Sequence, residues 1–191
     1  PTQPTTMTES NDIEVDVKNT LTVVFTHESW LKINGYIKGV ESEVSGLGRA
    51  TVENNRILIT DIFLWEQENT GTTTQVTTTS GQQNGAIFDL VTELTAKGVP
   101  SKELCVWWHS HYNFTSFFSG TDHNTIEHWL TDNLLCAVVG NQKGQYKAIV
   151  ALKKPVNLKV ECPVLYEQPR NETIEQEIAD NIKAKIKTPA V

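Results

Sequence analysis

Three consecutive segments between Glu103 and Gly140 limit the architecture more than any other feature of the chain. "ELCVWWHSH" (103–111) is an apolar run of strand length, and "LLCAVVG" (134–140) is another. Between them "TIEHWLTDN" (125–133) places Ile126, Trp129 and Leu130 at helical spacing. Strand, helix and strand in that order call for a sheet with a helix packed on its face.

The flanking sequence extends the series. "LTVVF" (21–25) reads as a strand running into a helix that starts near Thr26, with Trp30, Ile33, Ile37 and Val40 on one face. Gly35 and Gly39 weaken that helix, which suits close packing by a neighbour. "EVSGLGRATV" and "RILITDIFLW", separated by Asn54-Asn55, read as two strands joined by a short turn. Residues 66–85 are almost wholly polar and read as a long loop or loose hairpin. A helix is predicted over about 86–97, with Lys97 in its last turn and Gly98 at its stop. "NQKG" (141–144) is a tight turn into "QYKAIVALKK", and "VNLKVECPVLY" (156–166) reads as one strand. A last helix spans about 172–187, with Ile174, Ile178, Ile182 and Ile186 as its stripe. The whole predicts an α/β fold with a mixed central β-sheet flanked by helices.

The 191 residues suffice for one domain with a proper core. A net charge of −7 and no basic run argue against nucleic acid, whose phosphates need a cationic stripe, and against an anionic membrane surface. No segment approaches the roughly 20 apolar residues that span a bilayer. Cys105, Cys136 and Cys162 are odd in number and lack metal-site spacing, so a reducing cytoplasm is the expected compartment. The start at Pro1 and the polar, Pro/Thr-rich opening suggest a piece of a longer protein that begins with a disordered tail. Asn-x-Thr sequons at Asn113 and Asn171 read as chance.

Alternation along a strand points His109 and His111 the same way, with Ser110 opposite. Taken alone, the pair suits either an exposed strand face or one metal ion. Ser119 and Asp122, three apart before an apolar helical run, suit a capping box, and a capped turn is compatible with a carboxylate aimed at an ion.

Together these residues spell H-S-H-x7-S-x2-D without gap or substitution, and upstream "EVSGLG" supplies Glu43. The combination resembles the JAMM motif of the MPN+ metallopeptidases, and the likeness covers about residues 20–153. It implies an MPN/JAMM, cytidine-deaminase-like layout over residues 20–188, after a tail at 1–19. It makes His109, His111 and Asp122 the ligands of one catalytic zinc ion, Glu43 the general base and Ser119 the oxyanion donor. Hydrolysis of an amide or isopeptide bond in ubiquitin or a ubiquitin-like protein follows, with room for a second MPN-domain subunit. Two alternatives stay open. One is a JAMM peptidase acting on a sulfur-carrier conjugate or a phage or bacterial assembly, and the other is a non-catalytic MPN scaffold.

The chain also departs from the family. Tyr112 stands where many relatives have proline, and the following "YNFTSFF" is unusually aromatic. Tyr112 and Phe114 are the candidate substrate contacts, with Phe117 and Phe118 either core anchors or an apolar wall. The segment 66–85 lies where ubiquitin-cleaving members carry an insertion that contacts ubiquitin, and no second, structural zinc cluster is present. Glu41 and Glu103 read as solvated carboxylates, His123 and His128 as surface or supporting groups, and His27 as structural.

Overall fold

The computed structural model describes residues 21–70, 73–75, 85–129, 134–154, 157–167 and 172–187. The predicted tail at 1–19 lies outside them, as do residues 130–133 of the predicted helix and much of the polar segment. Eleven strands and four α-helices, with a 3-10 helix at Ser101–Glu103, follow one another along these residues. They are β1 (Thr22–Phe25), α1 (His27–Lys38), β2 (Ser45–Glu53), β3 (Arg56–Leu64), β4 (Gln67–Thr70), β5 (Thr73–Gln75), α2 (Gly85–Ala96) and β6 (Val106–Ser110). Then follow α3 (Gly120–His128), β7 (Leu134–Gly140), β8 (Tyr146–Leu152), β9 (Leu158–Cys162), β10 (Val164–Tyr166), α4 (Glu172–Lys185) and β11 (Ile186–Lys187).

Eight strands form one mixed sheet in the order β10-β1-β3-β2-β6-β7-β8-β9. β6 runs parallel to β7 and antiparallel to β2, so it sits at the centre, where pairing changes sense. The strand period divides the core between the two faces. Trp108 joins Tyr36, Ile33 and Ile178 under α1 and α4, while its neighbour Trp107 joins Leu90, Leu94 and Ile126 under α2 and α3. Trp108 is fully buried, and its indole N–H donates to Leu47 O at 2.9 Å, so a large apolar ring is buried without an orphaned donor.

Thr26 caps α1 by accepting from Ser29 N at 3.3 Å. Gly35 and Gly39 do serve close packing. A Cβ at Gly35 would lie 2.4 Å from Ile178 Cγ2, and one at Gly39 would lie 2.3 Å from Ile182 Cδ1. Lys32 adds a polar tie between layers, contacting Asp61 and Glu177 at 2.9 Å each.

Four expectations need correction. The single strand over 156–166 is two, because Pro163 brings no N–H to continue a ladder. The last helix ends at Lys185, and Ile186 leaves its stripe to pair with Gln67 in a second, three-stranded sheet. The third helix starts at Gly120, earlier than the apolar spacing suggests, because its cap is Ser119. Glu103 is ion-paired with Arg49 at 2.7 Å and is not merely solvated. The polar segment does form a hairpin, with Glu68 opposite Gln75. All three cysteines are buried and free, and no helix among the described residues is long and apolar enough to cross a membrane.

β9 and β10 stand at opposite ends of the sheet order, yet one residue separates them. The sheet therefore curls until its ends meet. Val23 N closes the junction by donating to Pro163 O at 3.0 Å, and β10 also contacts β8.

Candidate metal centre

The site lies at the carboxyl end of β6. His109 is the fourth residue of this wholly buried strand and pairs with Ser45 on one side and Val139 on the other. His111 lies just past the strand end, where its N–H extends the parallel ladder to Gly140 O at 2.9 Å. The two rings share a face, as the period requires, and their Nε2 atoms are 3.2 Å apart. Ser110, on the opposite face, bonds Val44 twice. Its N–H donates to Val44 O at 2.8 Å, and its Oγ accepts from Val44 N at 3.1 Å. That pair of bonds fixes the chain beside Glu43 against the histidine strand.

Ser119 and Asp122 form a true capping box. Ser119 Oγ accepts from Asp122 N at 3.2 Å, and Asp122 Oδ2 accepts from Ser119 N at 2.7 Å. The same carboxylate faces the histidines, with Oδ1 3.2 Å from His109 Nε2 and Oδ2 3.6 Å from His111 Nε2. One side chain thus starts the helix and completes a buried three-donor group. Among the described residues, His109, His111 and Asp122 are the group whose ligand atoms converge closely enough to hold a metal ion, all within 4.8 Å of one another.

The electrostatics at His109 and Asp122 suit that use. Burial pushes the His109 pKa down, which favours the neutral ring that ligates. Burial opposes the charge on Asp122, but bonds with both histidines and the Ser119 cap outweigh it and hold the carboxyl well below the usual range. His111 is pushed up, first by its bond with Asp122. Burial opposes that rise, while the Glu43 charge and the Thr115 backbone add to it. His109 Nδ1 is buried without a partner.

Glu43 is half-buried outside the three-donor group, yet close enough for its carboxyl to respond to both His111 and Asp122. Burial raises its pKa, the Asp122 charge adds to the rise, and His111 opposes it. Such a carboxylate is a better proton acceptor than an exposed one. Glu41 is exposed. His123 and His128 are exposed too, the latter with its ring donating to Asn124 O at 2.8 Å, so neither joins the cluster. The His27 ring nitrogens are buried without partners at the start of α1, and His27 is not in the three-donor group.

Aromatic rings enclose the histidines. Trp107 stacks on His109 at 4.7 Å, Phe118 meets its edge at 6.2 Å, and Phe117 meets His111 edge-on at 5.0 Å. Tyr112 is half-buried with φ 46°, in the left-handed region, and Phe114 is exposed. Reading "NQKG" as a plain turn misses two supporting residues. Asn141 is buried and donates through Nδ2 to Phe114 O at 2.8 Å, while its Oδ1 accepts from Lys143 N and Gln145 N at 3.0 Å each. Gln142 N donates to Tyr112 O at 2.9 Å. An Asn opening a tight turn signals bonds to its own backbone, and nothing local signals the bond to a loop 27 residues away. Gln67 is likewise missed. Fully buried, it clasps Ser45 by accepting from its N–H at 3.0 Å and donating to its carbonyl at 2.7 Å.

No family model matches the chain, and no curated protein does. Among solved structures, protein DSY2949 from Desulfitobacterium hafniense, determined in solution, is similar with a TM-score of 0.53 and 12% identity. The match covers 80% of this chain and 98% of that one. At such identity the likeness concerns the fold alone.

Proposed function

We propose that the chain is a zinc-dependent metallopeptidase of the JAMM type. It would hydrolyse an amide or isopeptide bond, with a ubiquitin-like protein as the substrate that the motif suggests. The observation that carries this reading is the spacing of the three donors. A tetrahedral ion bound at about 2.0–2.1 Å needs corners about 3.3–3.4 Å apart. Here the two Nε2 atoms are 3.2 Å apart, Asp122 meets them through different oxygens, Oδ1 3.2 Å from His109 and Oδ2 3.6 Å from His111, and one ligand atom from each residue lies within 4.8 Å of the others. Two nitrogens and one carboxylate also leave a fourth position open, which distinguishes catalytic from structural zinc sites. The pattern H-S-H-x7-S-x2-D with Glu43 in "EVSGLG" adds support from the sequence side.

Zinc in this site would supply Lewis acidity, which lets water ionise near neutral pH. His109, His111 and Asp122 would hold the ion. Glu43 takes the proton of the attacking water and returns it to the leaving amine. Ser119 Oγ accepts from Asp122 N, which leaves its own O–H free to donate to the developing oxyanion. Trp107, Phe117 and Phe118 shield the histidines from bulk water.

Metal analysis and turnover of a panel of ubiquitin-like fusions test the reading together. The protein should carry one zinc, His109→Ala should lose it, and Glu43→Gln should keep it while losing turnover. Unchanged metal content in His109→Ala would refute the site, and full activity in Glu43→Gln would refute the base.

A further inference from the structure

Glu43 lies on a stretch, residues 39–44, that belongs to neither helix nor strand. The far end of this stretch is held, because Ser110 bonds Val44 twice and Gln67 clasps Ser45. The near end leaves α1, and the last carbonyls of a helix have no partner within it. Gln142, in the turn between β7 and β8, supplies one. Its Nε2 donates to Val40 O at 2.9 Å and to Ile37 O at 3.2 Å. Gly140 lets that turn approach the helix end, since a Cβ there would lie 2.8 Å from Ile37 Cδ1. The backbone of the same residue reaches the ligand side. Gln142 N donates to Tyr112 O at 2.9 Å, directly after His111, whose own N–H bonds Gly140 O at 2.9 Å. Gln142 thus bonds the chain just before the candidate base and the chain just after a candidate ligand.

We propose that Gln142 is a positioning residue that sets Glu43 against His109, His111 and Asp122. The inference rests on the hydrolase reading above and adds the group that fixes the base relative to the metal centre. Gln142 is outside the three-donor group and acts through the segment that carries Glu43. A general base must come within hydrogen-bond reach of the proton it takes, and a misplacement of about 1 Å costs about 100-fold in rate. Without the Gln142 side chain, Ser110 and Gln67 hold the segment at one end only, and Glu43 can swing about Val44.

The test compares Gln142→Met, which keeps length and loses the donor, with Gln142→Lys, which keeps one. A lysine can serve such carbonyls, as Lys153 does at Glu127 O and Trp129 O. The probe is a ubiquitin-like fusion that the zinc-loaded, unsubstituted protein cleaves. In Gln142→Met kcat should fall about tenfold to 100-fold with KM and zinc content unchanged, and Gln142→Lys should recover most of the loss. A second readout needs no turnover. In metal-free protein, amide hydrogen exchange over residues 39–45 should be about fivefold faster in Gln142→Met, with β7 and β8 unaffected. A thermal melt verifies folding, and Gln142→Ala replaces Gln142→Met if the latter does not melt cooperatively. Unchanged kcat, unchanged exchange, or equal losses in Gln142→Met and Gln142→Lys overturns the inference and leaves the hydrolase reading standing. Loss of zinc from Gln142→Met overturns it also, by assigning the residue to the ligands. No cleavage of any fusion by the zinc-loaded, unsubstituted protein removes the hydrolase reading and this inference with it.

Discussion

On the proposed reading Asp122 has two tasks, capping α3 and ligating zinc, and Asp122→Asn separates them. The substitution keeps shape and keeps an oxygen to accept from Ser119 N, but removes the charge. A hydrogen bond to a charged acceptor contributes about 1.5–3 kcal/mol, against about 0.5–1.5 for a neutral one. The lost charge at the third position of α3 costs a further 0.3–1 kcal/mol or so through the helix dipole. Without metal, the variant should thus be less stable by about 1–2.5 kcal/mol. For a chain of 191 residues this lowers Tm by about 2–10 °C, at 2–4 °C per kcal/mol. The metal-binding task is larger. Zinc at a thousandfold excess over Kd stabilises by about 4.1 kcal/mol, a rise of about 8–16 °C. If losing the anionic donor weakens zinc about 100-fold, the same zinc gives about 1.4 kcal/mol, a rise of only about 3–6 °C. Melts in chelator and in buffered zinc read the two terms separately. An unchanged melt in chelator would refute the cap contribution, and an undiminished zinc shift would refute Asp122 as a donor.

Two further predictions concern the scaffold. Tyr36 is pushed up to about 12, chiefly by burial, and Lys32 is pushed up because bonds to Asp61 and Glu177 outweigh its burial. Both hold their protons more tightly folded than unfolded, so their contribution to stability is complete below about pH 10 and is lost as pH rises through the folded values. Urea midpoints should fall between pH 10 and 12, less steeply in Tyr36→Phe, and equal slopes would refute the assignment. Gly35→Ala should destabilise by about 1–3 kcal/mol through the clash with Ile178, despite alanine's helix advantage of about 1 kcal/mol. Ile178→Ala in the same molecule should recover part of that loss, and a raised Tm for Gly35→Ala alone would refute the close approach.

The site was legible in sequence where its geometry is local. Period two aims His109 and His111 together, and a three-residue spacing pairs Ser119 with Asp122, so neither relation depends on distant chain. Gly35 and Gly39 were readable for a similar reason, since helix-breaking residues inside an apolar stripe ask for a close neighbour. What escaped depends on partners far along the chain. Ser110 meets Val44 across 66 residues, and Asn141 meets Phe114 across 27. Ile186 continues a helical stripe by spacing, yet a tertiary partner, Gln67, draws it into a strand. Arg49 captures Glu103 in the same way, across 54 residues.

The closure between β9 and β10 also has a consequence during synthesis. Val23 of β1 pairs with Val164 of β10, a partner that emerges 141 residues later. At about 5–20 residues per second, one side of β1 waits roughly 7–28 s for its partner on a translating ribosome. During that interval an apolar strand with unpaired N–H and C=O groups is a template for intermolecular pairing. Expression at lower temperature, or with a holdase chaperone present, should therefore raise the soluble yield more than a stabilising substitution in the finished fold would.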